Sequence, residues 1–145
     1  MDTEAGSGTG AVERAPAEPF VATSLGASFT VSDLAASVAW YHDVLGFTVE
    51  RRHERGGSLR AVSLSAGPAR LLLTQDDGAH GADREKGQGF SLQFTTDQSI
   101  DDIAARIRAH GGKFDDEPTD MPWGVRVMRL RDPDGFKLVF SSEKK

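Results

Sequence analysis

The sequence contains no cysteine and no long apolar run. Without cysteine, the chain has no disulfide framework, no thiol nucleophile and no thiolate metal site. No stretch approaches the roughly 18 apolar residues that a membrane-spanning helix needs. The first ten residues, MDTEAGSGTG, are acidic, whereas a secretory signal peptide begins with basic residues. These absences predict a soluble, cytoplasmic protein with no membrane partner.

An excess of basic residues is also lacking, because 22 acidic and 17 basic residues give a net charge of −5. This balance argues against a nucleic-acid partner, since nucleic-acid binding needs a basic face. Residues 1–20 are rich in glycine, alanine, glutamate and proline and show no apolar periodicity, which predicts a disordered acidic tail. Residues 21–145 are expected to form a single domain.

One order of elements, a strand, a helix and three strands, occurs twice in the rest of the chain. In residues 24–75, Asp33 is placed to cap a helix that ends at Gly46, and in residues 89–143 Ser99 is placed to cap a second helix. Residues 76–88 are the expected linker. The strand-like runs lie at residues 24–31, 47–53, 59–65, 70–75, 90–96, 113–117, 123–130 and 136–142. The pattern predicts an α+β fold of two βαβββ modules with one helix each.

Two segments carry a family resemblance. TVSDLAASVAWYHDVLGF, residues 30–47, resembles the strand–helix opening of the vicinal oxygen chelate superfamily, which includes glyoxalase I, bleomycin-resistance proteins and ring-cleaving dioxygenases. PWGVRVMRLRDPDGFKLVF, residues 122–140, is similar to the closing segment of its bleomycin-resistance-like branch. The resemblance covers about residues 24–143. It implies that the two modules form a curved, barrel-like eight-stranded sheet and that the protein is a homodimer with paired clefts.

Enzymes of this superfamily typically hold a divalent metal between the curved sheets, with ligands on the first and last strands of each module. By the resemblance, the ligand positions are occupied here by Gly26, Leu72, Ser91 and Val139. Phe90 would replace Ser91 if that strand were shifted by one residue, but alternation along the strand favours Ser91. These residues lack the imidazole and carboxylate groups that such ions need, so we predict no metal and no cofactor. The alternative is a metal enzyme whose ligands lie elsewhere in the sequence.

Residues two positions away on the same strands share the faces of those four positions. The predicted interior is therefore apolar at its centre, with hydroxyl and amide groups and two cations, Arg70 and Lys137, around it. A concave site of this kind suits a small organic ligand, and its cations favour an acceptor-rich or anionic one. The alternative is a closed core filled by the protein's own side chains, with both cations extending to solvent.

Two further residues are candidates for ligand contact. His53 alternates with Val49 and Arg51, which places it on one face of a strand. The resemblance places Trp123 at the border of the ligand groove; the alternative is packing at a dimer or sheet edge. No catalytic residue is assigned. The candidate ligand-binding residues are therefore Ser28, Thr30, His53, Arg70, Leu72, Ser91, Gln93, Trp123, Lys137 and Val139.

These features together predict a metal-free small-molecule-binding protein of the glyoxalase/bleomycin-resistance type, which sequesters an antibiotic or a metabolite. The alternative is a metal-independent enzyme, an isomerase or lyase, in which His53, Arg51 or Lys137 supplies acid–base chemistry.

Overall fold

The chain folds as two βαβββ modules in the computed structural model, which describes residues 18–81 and 83–143. The first module contains β1 (Gly26–Val31), α1 (Leu34–Asp43), β2 (Thr48–Arg55), β3 (Ser58–Ala66) and β4 (Ala69–Gln75). The second contains β5 (Ser91–Thr95), α2 (Ile100–Ala109), β6 (Asp116–Asp120), β7 (Val125–Arg131) and β8 (Lys137–Glu143). The expected disordered tail lies outside the described residues except for its last three positions. Neither helix is long and apolar enough to cross a membrane.

Both predicted helix starts are confirmed by their capping hydrogen bonds. The Asp33 carboxylate accepts a hydrogen bond from the backbone N–H of Ala36 at 3.1 Å, and the Ser99 hydroxyl accepts one from Asp102 N–H at 3.2 Å. Each bond satisfies a backbone donor that the first turn of a helix leaves free. After α1, Gly46 adopts a φ of +81°, which an L side chain rarely tolerates, so the chain turns there into β2.

One predicted strand is displaced. The run at residues 113–117 was expected to form the first strand after α2, but β6 begins at Asp116. Phe114 is half-buried against the core, and the Arg108 guanidinium lies 5.0 Å from its ring centroid. Phe114 therefore belongs to the connection between α2 and β6. Pro118 is accommodated within β6 because β6 is an edge strand, where a missing N–H donor costs no ladder bond on the open side.

The strands form two four-stranded sheets, so the expected barrel-like eight-stranded sheet is not confirmed. The strand order is β1-β4-β3-β2 in the first sheet and β5-β8-β7-β6 in the second. Within the described residues, no strand of one sheet is hydrogen-bonded to a strand of the other. Contact between the modules is made by side chains instead, as where the rings of Phe29 and Phe136 stack with centroids 3.9 Å apart.

One hydrophobic core joins the two modules. Side chains alternate between the two faces of each strand, and the apolar ones lie on the face that packs against the helix of the module. Val62 and Leu73 of the first sheet are fully buried there, as are Met128 and Leu138 of the second. Tyr41 of α1 and Ile107 of α2 belong to the same cluster. The opposite face of each sheet therefore points away from this shared core.

The turn between β7 and β8 fastens the second module to the first through Asp132. Its carboxylate accepts a 2.7 Å hydrogen bond from the hydroxyl of Tyr41 and 2.9 Å bonds from the backbone N–H groups of Asp134 and Phe136. Both side chains are buried. Burial raises the pKa of Asp132 above its usual value, and burial beside this carboxylate raises the pKa of Tyr41.

A second polar contact ties the inter-module linker to both modules. The ammonium group of Lys86 lies 2.9 Å from the Asp76 carboxylate at the end of β4 and 3.7 Å from that of Asp134, and it donates a 3.0 Å hydrogen bond to the Ser32 hydroxyl. The Ser32 hydroxyl donates in turn to Asp134 at 2.6 Å. The hydrogen bond from Lys86, followed by that from Gly78 N–H, lowers the pKa of Asp76 to about 2.

We predict that Tyr41→Phe destabilises the protein by about 1–3 kcal/mol, because it leaves one oxygen of a buried carboxylate without its donor. The ring and its packing are retained, so chemical denaturation of the variant and the wild type measures the hydrogen bond. A loss below about 0.3 kcal/mol would show that water replaces the hydroxyl at no cost.

A second prediction concerns pH. The pKa of Asp76 is lowered from 3.8 to about 2 in the folded protein, so its contribution to stability is complete above about pH 4 and is lost as the pH falls through about 2. Asp76→Asn should therefore be less stable than the wild type at pH 7, and this difference should shrink between pH 4 and pH 2. Thermal unfolding across that pH series measures the effect; a difference that does not change with pH would contradict it.

Candidate functional site

The faces of the two sheets that point away from the core are named here the first and second open faces. The first open face consists of Gly26, Ser28, Thr30, Thr48, Arg51, His53, Ala61, Ser63, Ser65, Arg70, Leu72 and Thr74. The second consists of Ser91, Gln93, Thr95, Asp116, Thr119, Val125, Val127, Arg129, Arg131, Lys137, Val139, Ser141 and Glu143. Residues in register on neighbouring strands share a face, so the pairing defines both sets.

Strand register arranges the first open face in transverse rows. One row runs from Gly26 through Arg70 to Ser65. The next row begins with Ser28 and Leu72 and continues through Ser63 to Arg51. The third contains Thr30, Thr74, Ala61 and His53, and the two threonine hydroxyl oxygens are 3.3 Å apart.

The second open face repeats the arrangement. Its first row contains Ser91, Lys137 and Arg131, and its second contains Gln93, Val139 and Arg129. In both modules the first row pairs a small residue of the first strand with a cation of the fourth: Gly26 with Arg70, and Ser91 with Lys137. The sequence duplication is therefore present in the chemistry of the two faces as well as in their topology.

Nine of the ten candidate ligand-binding residues lie on these two faces. Ser28, Thr30, His53, Arg70 and Leu72 share the first open face, and Ser91, Gln93, Lys137 and Val139 share the second. Leu72 and Val139 are half-buried, whereas Gln93, Arg70 and Lys137 are exposed. The described side chains therefore leave these three polar residues open to solvent.

Trp123 lies apart from the other candidates. It occupies the turn between β6 and β7, where Gly124 has a φ of +95°, and 71% of its surface is exposed. The first residue of β7, Val125, pairs with Glu143, which is the last residue of β8. Lys137 is the first residue of β8. Six residues of extended strand span about 20 Å, so Trp123 and Lys137 are at opposite ends of the second sheet.

The structure brings residues of β3 and β7 to these faces that the sequence did not assign to them, including Ser63 and Arg129. Their signal was present, because Ser63 alternates with the apolar residues Val62 and Leu64. A bulge at Glu50 carried no such signal. It shifts the register between Val49 and Arg51, and the Ser65 hydroxyl donates a 2.5 Å hydrogen bond to the Glu50 carboxylate.

The four positions at which the resemblance expects metal ligands do not fit a divalent cation. Leu72 and Val139 occupy corresponding places on the fourth strands, Ser91 offers one hydroxyl, and Gly26 offers no side chain. Hard and borderline divalent ions need several imidazole or carboxylate ligands. The described residues contain no group of three or more histidine, aspartate or glutamate side chains arranged to hold a metal.

The arginines of the second open face are neutralised by carboxylates. Arg131 donates a 2.8 Å hydrogen bond to Asp115, and this bond raises the pKa of its guanidinium. Arg129 lies 3.4 Å from the Asp116 carboxylate. These cations therefore hold the irregular start of β6 against β7.

Two cavities of the molecule lie elsewhere. One, of about 390 Å³, is at the start of α2 and is lined by Asp97, Asp101, Asp120 and Glu143 among others, with Arg126 bound to Asp101. The other, of about 770 Å³, is a groove between α1 and β2. Neither is lined by any of the ten candidate residues.

Comparison with known proteins identifies the fold. Residues 24–140 match the sequence profile of the Glyoxalase/Bleomycin resistance protein/Dioxygenase superfamily. No curated protein sequence matches the chain.

Solved structures share the architecture at low sequence identity. TioX from Micromonospora sp. ML1 is 21% identical over 84% of this chain and 99% of its own, with a TM-score of 0.67. TnmS3, an antibiotic binding protein from Streptomyces sp. CB03234, is 21% identical over 87% of this chain and 100% of its own, with a TM-score of 0.68. Lactoylglutathione lyase from Agrobacterium tumefaciens is 22% identical over 84% and 95%, with a TM-score of 0.61. These likenesses establish the fold, and because the family profile covers most of the sequence, the chain belongs to the Glyoxalase/Bleomycin resistance protein/Dioxygenase superfamily.

Proposed function

We propose that this protein binds a small organic molecule without a metal and sequesters it, the ligand being an antibiotic or a metabolite. One observation carries the proposal. The four positions at which the family resemblance expects metal ligands lie on the open faces, yet they hold Gly26, Leu72, Ser91 and Val139. Polar residues such as Ser28 and Gln93 lie beside these four positions on the same faces.

The chemistry of the open faces suits recognition of an organic ligand. Leu72 and Val139 supply apolar surface in the second row of each face, and Ser28 and Gln93 stand beside them in register. Small-molecule sites commonly combine apolar surface with a few placed hydrogen-bonding groups. Apolar contact would supply affinity, while the hydroxyl and amide groups would orient the ligand.

The structural neighbours support the same reading. TnmS3 is described as an antibiotic binding protein, and its chain superimposes along its whole length. The proposal therefore places this chain in the bleomycin-resistance-like branch. His53 is exposed on the first open face, so turnover of a bound compound would instead favour the metal-independent isomerase or lyase.

The proposal includes a homodimer with two equivalent clefts. Both open faces point away from the core of their own chain, and in the proposed dimer a second copy of the chain packs over them. We predict a two-fold dimer by light scattering at micromolar concentration. A monomer under those conditions would contradict this part of the proposal.

The main test combines elemental analysis with thermal-shift screening of antibiotics and metabolites. We expect no stoichiometric metal, and a compound present at about a hundred times its Kd should stabilise the protein by about 2.7 kcal/mol. Leu72→Glu should abolish that shift, because it places a charge on the apolar part of the first open face.

Leu25→Glu is the matched control, since Leu25 precedes β1 and 90% of its surface is exposed. It should retain the shift. A tightly bound stoichiometric metal would overturn the metal-free proposal. A shift that survives in Leu72→Glu would place the binding site away from the first open face.

A further inference from the structure

We propose that the ligand carries an anionic oxygen group, such as a carboxylate or sulfonate, and that Arg51 and Arg70 on the first open face bind it. This inference rests on the proposed function and names the class of its ligand. It depends on which arginines are already paired within the chain.

The arginines of the second module are occupied. Arg106 donates hydrogen bonds to the carbonyl oxygens of His42 and Asp43. The other four are ion-paired with carboxylates: Arg108 with Glu117, Arg126 with Asp101 and Asp120, Arg129 with Asp116, and Arg131 with Asp115. A guanidinium held in this way is not available to a ligand.

The first module is the opposite case. In the described part of the chain, none of its five arginines has a carboxylate or hydrogen-bond partner: Arg51, Arg52, Arg55, Arg60 and Arg70. A guanidinium offers five donors in a planar fork and remains charged at any physiological pH. The first sheet therefore presents unused positive charge and unused donors.

Strand register decides which of these arginines face the candidate site. Arg51 pairs with Ser63 and Arg70 pairs with Ser65, so both lie on the first open face. Arg52 pairs with Val62, a core residue, and lines the groove between α1 and β2 on the other side of the sheet. Neighbouring residues of one strand thus carry the same charge to opposite faces.

Open space adjoins Arg70. Arg70 is in register with Gly26, which has no side chain, and a Cβ placed there would meet nothing closer than 3.8 Å. Leu72 and Ser63 lie in the same row as Arg51, and that row is adjacent to the row of Arg70. An aromatic or aliphatic body resting on Leu72 would have Arg70 two residues away along β4 and Arg51 two strands away across the sheet.

One carboxylate from outside the paired set reaches this face, because the bulged residue Glu50 meets Ser65 there. The Glu50 carboxylate accepts its hydrogen bond from the Ser65 hydroxyl and forms no ion pair with the nearby arginines. Glu54 pairs with Leu59, which packs against the core, so the acidic side chain lies on the other face. The cations therefore outnumber the acids on the first open face, and charge-assisted hydrogen bonds to an anion are favoured there.

Two fluorescent compounds that differ by one charge test the inference. They are 8-anilinonaphthalene-1-sulfonate and N-phenyl-1-naphthylamine, which has the same rings without the sulfonate. We expect the wild-type protein to bind the sulfonate about tenfold more tightly than the neutral compound, as one charged hydrogen bond would give. Added sodium chloride should reduce this preference, because the cations are exposed and screened.

Arg51→Gln and Arg70→Gln should each remove most of the preference while leaving the Kd of the neutral compound unchanged. Arg52→Gln removes the same charge from the other face of the same strand and should keep the preference within twofold. Thermal unfolding of each variant checks the fold, which exposed substitutions should disturb little.

The outcomes separate this inference from the function on which it rests. Binding of the neutral compound as tightly as the sulfonate, or a preference that survives both open-face variants, overturns the inference and leaves small-molecule binding intact. Equal loss in Arg52→Gln also overturns it. Binding of neither compound by the wild type contradicts both.

Discussion

The buried contact between Tyr41 and Asp132 sets the arrangement on which the rest of the structure depends. It joins α1 of the first module to the turn before β8 of the second with a 2.7 Å hydrogen bond inside the core. The turn is held in shape by the same carboxylate, which accepts bonds from two backbone N–H groups. Because a buried carboxylate without donors is costly, this contact favours one packing of the modules over others.

That packing determines which surfaces remain for a ligand. The modules meet through helices and through the core faces of both sheets, so the polar faces are left outside. Duplication then gives two related surfaces with different electrostatics. Arg129 pairs with Asp116 of β6 and Arg131 pairs with Asp115 just before it, whereas Arg51 and Arg70 have no such partner among the described residues. The arginines of the second module therefore serve contacts within the chain, and Arg51 and Arg70 are the ones that the proposed ligand would contact.

Local chemistry made much of the fold predictable from the sequence. Asp33 and Ser99 begin helices because their side chains replace a missing backbone acceptor. The resemblance supplied Leu72, and period-two alternation from the positions it supplied put Ser28 and Gln93 on the faces that the strand register gives them. The displaced strand β6 was not predictable in this way, since Phe114 is apolar because it packs in the core and not because it lies in a strand.

Non-local features account for what the sequence left out. Simple alternation put Val49, Arg51 and His53 on one face, but the bulge at Glu50 turns Val49 towards the core and leaves Arg51 and His53 on the first open face. No pattern in the run of charged residues signals that bulge. The pairing of Arg131 with Asp115 depends on how β6 meets β7, so the sequence alone could not distinguish engaged arginines from free ones. The separation of Trp123 from Lys137, which lie at opposite ends of the second sheet, likewise follows from strand register.

The central claim is that a small molecule binds on the open faces without a metal. Methyl NMR spectra recorded during titration with 8-anilinonaphthalene-1-sulfonate, in the presence of EDTA, test it most directly. The account predicts shifts in the methyl resonances of Leu72 and Val139, which lie on the open faces, and none at Val38 and Leu59, which line the groove between α1 and β2. Shifts confined to Val38 and Leu59, or binding that EDTA abolishes, would contradict it.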